Sequence, residues 1–361
     1  MRAQPIFLGS VCLCFLLLLG VSDADAQMNR KTIKKNNKRM SSYQGRKRGF
    51  PKQNIYNTIG VTLNAFNYYG DLAPRQSPIS TNLGLTRPAL GLAMSRRYGP
   101  RYSMTAAFTY GTILGSDFKS ADPDDENSFY RYNRNLSFRN RIKELSIVAS
   151  FDLWGNSATY ISRVRWTPYV YGGLAVFHHN PQAKAPEFQL DGVTRLPEAG
   201  KWVDLQKLGT EGQRSDLRET DANYGAKPYK LIQVAIPIGV GARFRINQLT
   251  DFSVEFGFRY LFTDYIDDVS KQYVDLGVFG NNELARAMSY RTNEISSVAD
   301  KLRPFPSTVE GHNQTYMLLP GYGSEGRWNV RGNKNDKDIY TVTTFKLTYI
   351  YGKTYNRAKF R

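Results

Sequence analysis

Two adjacent histidines, His178 and His179, have the most obvious chemical potential in this sequence, since imidazole can ligate a metal or act as a general base. Neighbouring residues of a β-strand point to opposite faces, so this pair cannot chelate one ion within a strand. His312 is the only other histidine and lies far along the chain. No serine stands beside a base and an acid in a pattern typical of hydrolases. We therefore predict no enzymatic activity, no metal centre and no cofactor.

Two acidic runs raise the question of a calcium site, because Ca²⁺ prefers carboxylate and other oxygen ligands. One run contains Asp264, Asp267 and Asp268. The other consists of Asp122, Asp124, Asp125 and Glu126. Neither has the alternating ligand spacing and the turn glycine of a calcium-binding loop. Both runs are expected to be solvated loop acids.

A further set of charges lies within apolar segments, always on the face opposite the large aromatic side chains. The set comprises Glu144, Arg243, Glu255, Arg259 and Lys346. On the inner face of a small barrel such charges must pair, because an isolated buried charge costs several kcal/mol. We expect a paired network in a lumen. An exposed face of a soluble sheet is the alternative that these residues leave open.

The segments that carry these charges alternate between apolar residues and polar or small ones, as strands with one face in lipid do. In the clearest segment, Phe252, Val254, Phe256, Phe258, Tyr260 and Phe262 alternate with Ser253, Glu255, Gly257 and Arg259. Eight segments alternate in this way, at about residues 58–68, 87–97, 102–114, 142–153, 166–177, 233–245, 252–263 and 339–351. The pattern predicts an all-β fold, an eight-stranded antiparallel transmembrane β-barrel.

Short and long connections alternate strictly between these segments. The short ones are residues 98–101, 154–165 and 247–251, and the long ones are residues 70–86, 115–141, 178–230 and 264–338. This alternation is typical of barrels with short periplasmic turns and long extracellular loops, with both chain ends in the periplasm. A helix-like stretch near residues 283–302 is expected to cap the barrel or contact a partner.

Aromatic residues cluster near the ends of the predicted strands, where rings with a polar atom favour the boundary between water and hydrocarbon. They are Tyr68, Tyr69, Tyr98, Tyr102, Trp154, Trp166, Tyr169, Tyr171, Tyr260, Phe262, Tyr265, Tyr349 and Tyr351. Together they predict two girdles. Glycines in the sixth segment, such as Gly239 and Gly241, are expected to make room for large neighbours inside the barrel or to let the strand bend.

The first 26 residues have the parts of an export signal: Arg2, an apolar run at 6–21, and Ala24-Asp25-Ala26 as a cleavage site. Both cysteines, Cys12 and Cys14, leave with it. The mature chain therefore cannot form a disulfide, a thiolate metal site or a cysteine nucleophile. The formal net charge of the whole chain is +18, and the signal contributes one Arg and two Asp.

Residues 27–54 form a basic arm with ten Lys and Arg residues and no acid, and the pattern predicts disorder. Behind an export signal, nucleic acid is not expected as a partner. Anionic lipid, an acidic protein surface and a plain solvated tether remain open. The predicted organisation is a signal peptide at 1–26, the arm at 27–54, the barrel at 55–352 and a basic C-terminal tail at 353–361.

Several strings at strand ends and in loops resemble one known family. They are Tyr68-Tyr69-Gly70-Asp71-Leu72, residues 167–173, residues 177–181, Trp202 with residues 209–213, Phe262-Thr263-Asp264-Tyr265-Ile266-Asp267-Asp268-Val269-Ser270, and residues 332–336. Their order and spacing across about residues 55–352 resemble the PorG-like proteins, the outer-membrane barrel component of the type IX secretion system of Bacteroidota. The most specific string is the one that begins at Phe262.

The resemblance implies a non-enzymatic barrel in the cell outer membrane, surrounded by its lipid. It further implies an anchor or scaffold role, with contacts to the PorK- and PorN-like periplasmic ring proteins of the secretion system. Two other functions remain open from the residues alone. One is a general structural or adhesive barrel, and the other is a lipid A-modifying enzyme with His178 and His179 at its rim.

Overall fold

The computed structural model describes residues 54–72, 83–126, 128–157, 159–326, 328–335 and 337–351. The predicted signal peptide, all but the last residue of the predicted arm and the predicted tail lie outside the described residues. Their assignments stay predictions.

Eight strands form the barrel wall: β1 (Asn57–Tyr69), β2 (Arg87–Arg97), β3 (Tyr102–Ser116), β4 (Ser137–Asp152), β5 (Trp166–His178), β8 (Ile232–Arg245), β9 (Thr250–Leu261) and β12 (Ile339–Tyr351). All neighbours are antiparallel, in the order β3-β2-β1-β12-β9-β8-β5-β4. Pairing of β3 with β4 closes the sheet on itself. The predicted all-β, eight-stranded antiparallel barrel is confirmed.

The remaining elements lie in the long loops. Short strands are β6 (Pro181–Lys184), β7 (Trp202–Asp204), β10 (Arg303–Pro306) and β11 (Thr315–Leu318). The helices are α1 (Asp117–Ser120), α2 (Phe129–Arg134), α3 (Leu205–Leu208) and α4 (Glu283–Ser289), with 3₁₀ turns at Leu83–Leu85, Tyr160–Ser162, Leu276–Phe279, Thr292–Glu294 and Ser296–Lys301. Among the described residues, no helix has both the length and the apolar character needed to cross a membrane.

The strand register fixes how far the barrel is staggered. The stagger is measured by following paired residues from each strand to the next around the barrel. This paired row starts at Ala242 of β8 and returns to β8 at Ile232, ten residues away. Between these two residues it passes through Phe345, Leu63, Leu90, Tyr110, Lys143 and His178. A stagger of this kind tilts strands by about 35–45° and closes eight of them around an interior that side chains fill.

The outer face of the barrel is a continuous apolar band. Ile59, Val61 and Leu63 are each about half exposed, and Leu90 is 67% exposed. Thr58 and Thr62, which lie between the outward residues of β1, are buried in the interior. In water so much exposed apolar surface is unfavourable, at about 25 cal/mol per Å², whereas hydrocarbon buries it. This is the exterior of an outer-membrane barrel, and the chain is an outer-membrane protein.

Three tyrosines assigned to the girdles lie elsewhere. Tyr68, Tyr169 and Tyr171 are buried inside the barrel, so that assignment was wrong. Their position along the strand suited a girdle, but strand parity turns them inward. A Cβ on Gly241 would lie 2.7 Å from Cζ of Tyr169. One on Gly239 would lie 2.6 Å from Cζ of Tyr171, so these glycines make room for the rings, as predicted.

The third and fourth strands are longer than predicted. They pair as far as Ser116 with Ser137, beyond the predicted ends near 114 and 142. In this extension the inner residues Phe138 and Ile142 are apolar and buried, whereas the outward Arg141 is charged and exposed. The alternation is inverted because this part of the hairpin stands above the hydrocarbon. The alternation with apolar outward residues, which lipid requires, therefore does not predict this extension of the two strands.

Candidate functional site

The loop end of the barrel is closed by a buried group of acids that we call the mouth cluster. Its members are Asp71, Glu211, Asp264, Asp267, Asp268 and Asp338. They come from three separate connections, and most belong to the strings that carry the family resemblance. The prediction that Asp264, Asp267 and Asp268 are solvated loop acids was wrong, since each is at most 5% exposed. Asp122, Asp124 and Glu126 are exposed, as expected.

Tyr68 connects two of these acids at the top of β1. Its hydroxyl lies 2.6 Å from Oδ2 of Asp267 and 2.9 Å from Oδ1 of Asp338. The hydroxyl has one proton and can donate to only one carboxylate at a time. The backbone N–H of Val269 donates to Asp267, and that of Ile266 donates to Asp338. These contacts fix the loop after β9 to the end of β1 and to the residue before β12.

The contact between Tyr68 and Asp338 leaves no room for a side chain at position 70, so a glycine is needed there. A Cβ at Gly70 would lie 2.1 Å from both Oδ1 of Asp338 and the Tyr68 hydroxyl. Tyr69, the neighbouring motif position, packs against the hydrophobic core at this end of the barrel. Asp71 accepts hydrogen bonds of 3.1 Å from the backbone N–H of Asn333, which follows Gly332.

Asp268 connects the loop after β5 to the loop after β9. Its carboxylate accepts hydrogen bonds from Thr210 Oγ1, at 2.5 Å, and from the Tyr229 hydroxyl, at 2.7 Å. Asp268 has φ of 70°, a left-handed conformation that costs energy for residues other than glycine, although Asp tolerates it better than most. Nη1 of Arg331 donates to the carbonyl of Asp268 and to Oε1 of Glu211.

Most other residues of the string that begins at Phe262 also hold the loops together at the mouth. Asp264 accepts a 2.7 Å hydrogen bond from Ser270, and Thr263 accepts one from the backbone N–H of Tyr265. The ring of Tyr265 stacks on Tyr229 at 4.8 Å. Phe262 differs, because it faces outward at the rim with its ring 5.8 Å from that of Tyr260. The motif therefore holds the loops together and continues the aromatic girdle.

Burial makes several mouth acids weaker than usual. Desolvation raises the pKa of Asp71 to about 6, of Asp264 to about 7 and of Asp268 to about 6. It raises the pKa of the fully buried Asp267 and Asp338 well above the ordinary range. The closed mouth therefore holds protons that the same carboxyls would release in water above about pH 4.

These raised pKa values predict that the mouth loosens as pH increases from 5 to 8. The closed state binds more protons than the open one in this window, so opening is favoured as protons become scarce. His179 opposes the effect only below pH 6.5, because its pKa is lowered to about 4. Hydrogen exchange at residues 264–270, corrected for the intrinsic rate, should be slower at pH 5. Asp264→Asn should flatten the dependence, and pH-independent protection in the unsubstituted chain would contradict the prediction.

The five charges predicted to line the lumen all face inward. Nε of Arg259 donates to both oxygens of Glu144 at 3.2 Å, and the Tyr340 hydroxyl donates to Glu144 at 2.5 Å. Lys346 forms an ion pair with Glu255, which also accepts a 2.6 Å hydrogen bond from Tyr169. Arg243 contacts neither glutamate; it lies 3.3 Å from Asp152.

A second set of buried charges lies at the turn end and was missed by sequence reasoning. Nη1 of Arg97 lies 2.8 Å from Oδ2 of Asp152, and Arg163 lies 2.6 Å from Asp251. Asp152 has the inward parity on β4 that would have identified it. A cavity of about 30 Å³ beside these pairs has room for about two water molecules, and it is far too small for a folded or extended chain.

The two adjacent histidines do not form a reactive pair. His179 is fully buried, stacks on Tyr229, and has Nε2 3.1 Å from the carbonyl of Lys230. Burial lowers its pKa, which favours a neutral structural ring. His178 lies at the end of β5. Within the described part of the chain, no three acidic, histidine or cysteine side chains are arranged to hold a metal ion.

Residues 50–187 of the chain match a protein family described as a domain of unknown function, DUF6089. This span includes β1 to β6 and stops before most of the mouth cluster. No curated protein matches the sequence at a significant level.

Solved structures with a similar backbone include several outer-membrane proteins. Neisserial surface protein A is 6% identical, with a TM-score of 0.31 and coverage of 82% of this chain and 97% of that one. OprG from Pseudomonas aeruginosa is 8% identical, with a TM-score of 0.35 and coverage of 84% and 98%. A major outer membrane protein from Thermus thermophilus is 10% identical, with a TM-score of 0.33 and coverage of 82% and 99%. The barrel is established by the closed eight-stranded sheet itself.

Proposed function

We propose that this chain is a non-enzymatic outer-membrane anchor and scaffold of the type IX secretion system, in contact with PorK- and PorN-like ring proteins of the periplasm. The observation that carries the scaffold role is the filled interior. Ion pairs such as Glu144 with Arg259 cross the lumen, and the mouth cluster ties the loops over it. A barrel filled in this way supports a role in holding other proteins rather than conducting them.

The assignment to this secretion system rests on the resemblance of the strings, several of which meet at the mouth. On this proposal, secreted substrates cross the membrane through another component. The ring proteins would contact the turn end, where residues 98–101, 153–165 and 246–249 connect the strands. The basic arm and the basic tail would add positive charge at the same end, since β1 starts and β12 ends there.

Deleting the gene in its host and measuring secretion of type IX substrates tests the proposal, with the full chain supplied in trans as the control. A photo-crosslinking residue at Gln248, in the turn between β8 and β9, should capture ring proteins. The same residue at Val193, an exposed position in the loop after β5, should not. Normal secretion in the deletion strain and no ring protein captured from Gln248 would defeat the assignment and favour a general structural or adhesive barrel.

A further inference from the structure

The outward face of β4 carries three successive cations at the loop end. These cations are Arg139, Arg141 and Lys143. They occupy the outward positions between the loop end of the strand and the outward apolar residues Leu145 and Ile147. Successive outward residues of a strand are about 6.6 Å apart, so the three charges form a ladder about 13 Å long. The ladder begins where the lipid-facing surface of this strand ends.

The stagger of the barrel shows where this ladder stands relative to the membrane. The paired row through Lys143 climbs by ten residues in one circuit, or about one and a quarter residues for each strand. On this basis Lys143 is roughly level with Tyr260 of β9, an exposed ring of the loop-end girdle, and Arg141 stands about one step higher. Both cations therefore lie at the boundary between hydrocarbon and headgroups.

The rest of the outer wall contains almost no charge. On the eight described barrel strands, the only other outward-facing Lys or Arg is Arg96, at the turn end of β2, and no acid faces outward. At the level of Lys143 the other strands present uncharged residues such as Asn67, Thr112 and Tyr260. The positive charge at the loop end is thus confined to one side of the barrel.

The cations of the ladder differ in how they are held. Arg139 is fixed, with its guanidinium 3.7 Å above the Trp202 ring and a 2.8 Å hydrogen bond to Gln182 Oε1. Arg141 and Lys143 are exposed, and within the described residues neither forms an ion pair. Asp204, the acid near Arg139, is bonded to Lys207, Gln182 and Asn180.

We propose that this face of β4 binds the phosphate group of a phosphorylated glycolipid of the lipid A class in the outer leaflet. Long loops mark this end of the barrel as the external one, where such lipids face the wall. Guanidinium and ammonium groups complement phosphate charge, and Arg can bind phosphate through two parallel hydrogen bonds. The acyl chains would lie along Leu145, Leu174 and Val176, which are exposed just below.

Native mass spectrometry of the full barrel in mild detergent tests this proposal, with bisphosphorylated lipid A as the probe and its dephosphorylated form as the comparison. The variant Arg141→Gln/Lys143→Gln should bind the phosphorylated lipid about 25-fold more weakly, or about fivefold for each cation. Arg96→Gln, which removes an outward cation at the other end, should bind it as the unsubstituted chain does. If the double variant assembles poorly, Arg141→Gln alone should show the fivefold loss.

Three results would overturn the proposal. The first is retention within twofold by a folded double variant, and the second is an equal loss in Arg96→Gln. The third is equal binding of the dephosphorylated lipid by the unsubstituted barrel, which would leave an acidic protein surface as the occupant of this face.

Discussion

Replacing Arg259 with methionine is expected to lower the free energy of unfolding by about 3–5 kcal/mol, because it leaves the Glu144 carboxylate buried without a cation. Glu144 is 1% exposed, and its remaining described side-chain partner is the Tyr340 hydroxyl. Urea titration of the barrel in lipid vesicles, followed by the gel mobility of folded and unfolded forms, measures the effect.

Two further variants separate the missing charge from a general loss of packing. Arg259→Met/Glu144→Gln should recover much of the stability, since the amide removes the uncompensated charge. Arg195→Met removes an arginine that is paired with Glu187 but 71% exposed, and it should change stability by no more than about 0.5 kcal/mol. If Arg259→Met cost no more than Arg195→Met, the lumen pair would have no role in holding the barrel together.

Replacing Phe256 with arginine is expected to block assembly in the membrane. Phe256 faces outward near the middle of β9, between Val240 of β8 and Thr343 of β12. A lipid-facing arginine near the midplane costs roughly 2–4 kcal/mol. The fraction of chain recovered from outer membranes as a heat-modifiable folded barrel should therefore fall sharply.

The matched control places the same residue where lipid is absent. Val193 is 80% exposed in the loop after β5, and Val193→Arg should assemble normally. Normal assembly of Phe256→Arg would mean that the face of β9 assigned to lipid is the inner one, and the whole register would have to be reconsidered.

Arg259→Met and Phe256→Arg both change a barrel strand, and the barrel strands are the part of the chain that lipid constrains most. The barrel and its faces were predictable because hydrocarbon outside and a filled lumen inside require a period of two along every strand. The inward charges followed from the same parity, as with Arg259 and Glu255. The lengths of the connections then showed which end of the barrel has the short turns and which has the long loops. These features depend only on the type and position of each residue in the sequence.

The tertiary structure alone decided which groups meet. Asp267 and Asp338 are 71 positions apart and share the Tyr68 hydroxyl, while Asp268 is buried by loops whose paths no local pattern records. The spacing of Asp264, Asp267 and Asp268 suggested solvated acids. Spacing could not predict their burial, because burial depends on segments that are distant in the sequence. Arg243 pairs with Asp152 rather than a glutamate because register, not residue type, sets which inward charges lie at the same height. The external part of β4 was missed for a related reason: once a strand leaves hydrocarbon, its outer residues are free to be charged, and the pattern imposed by lipid ends.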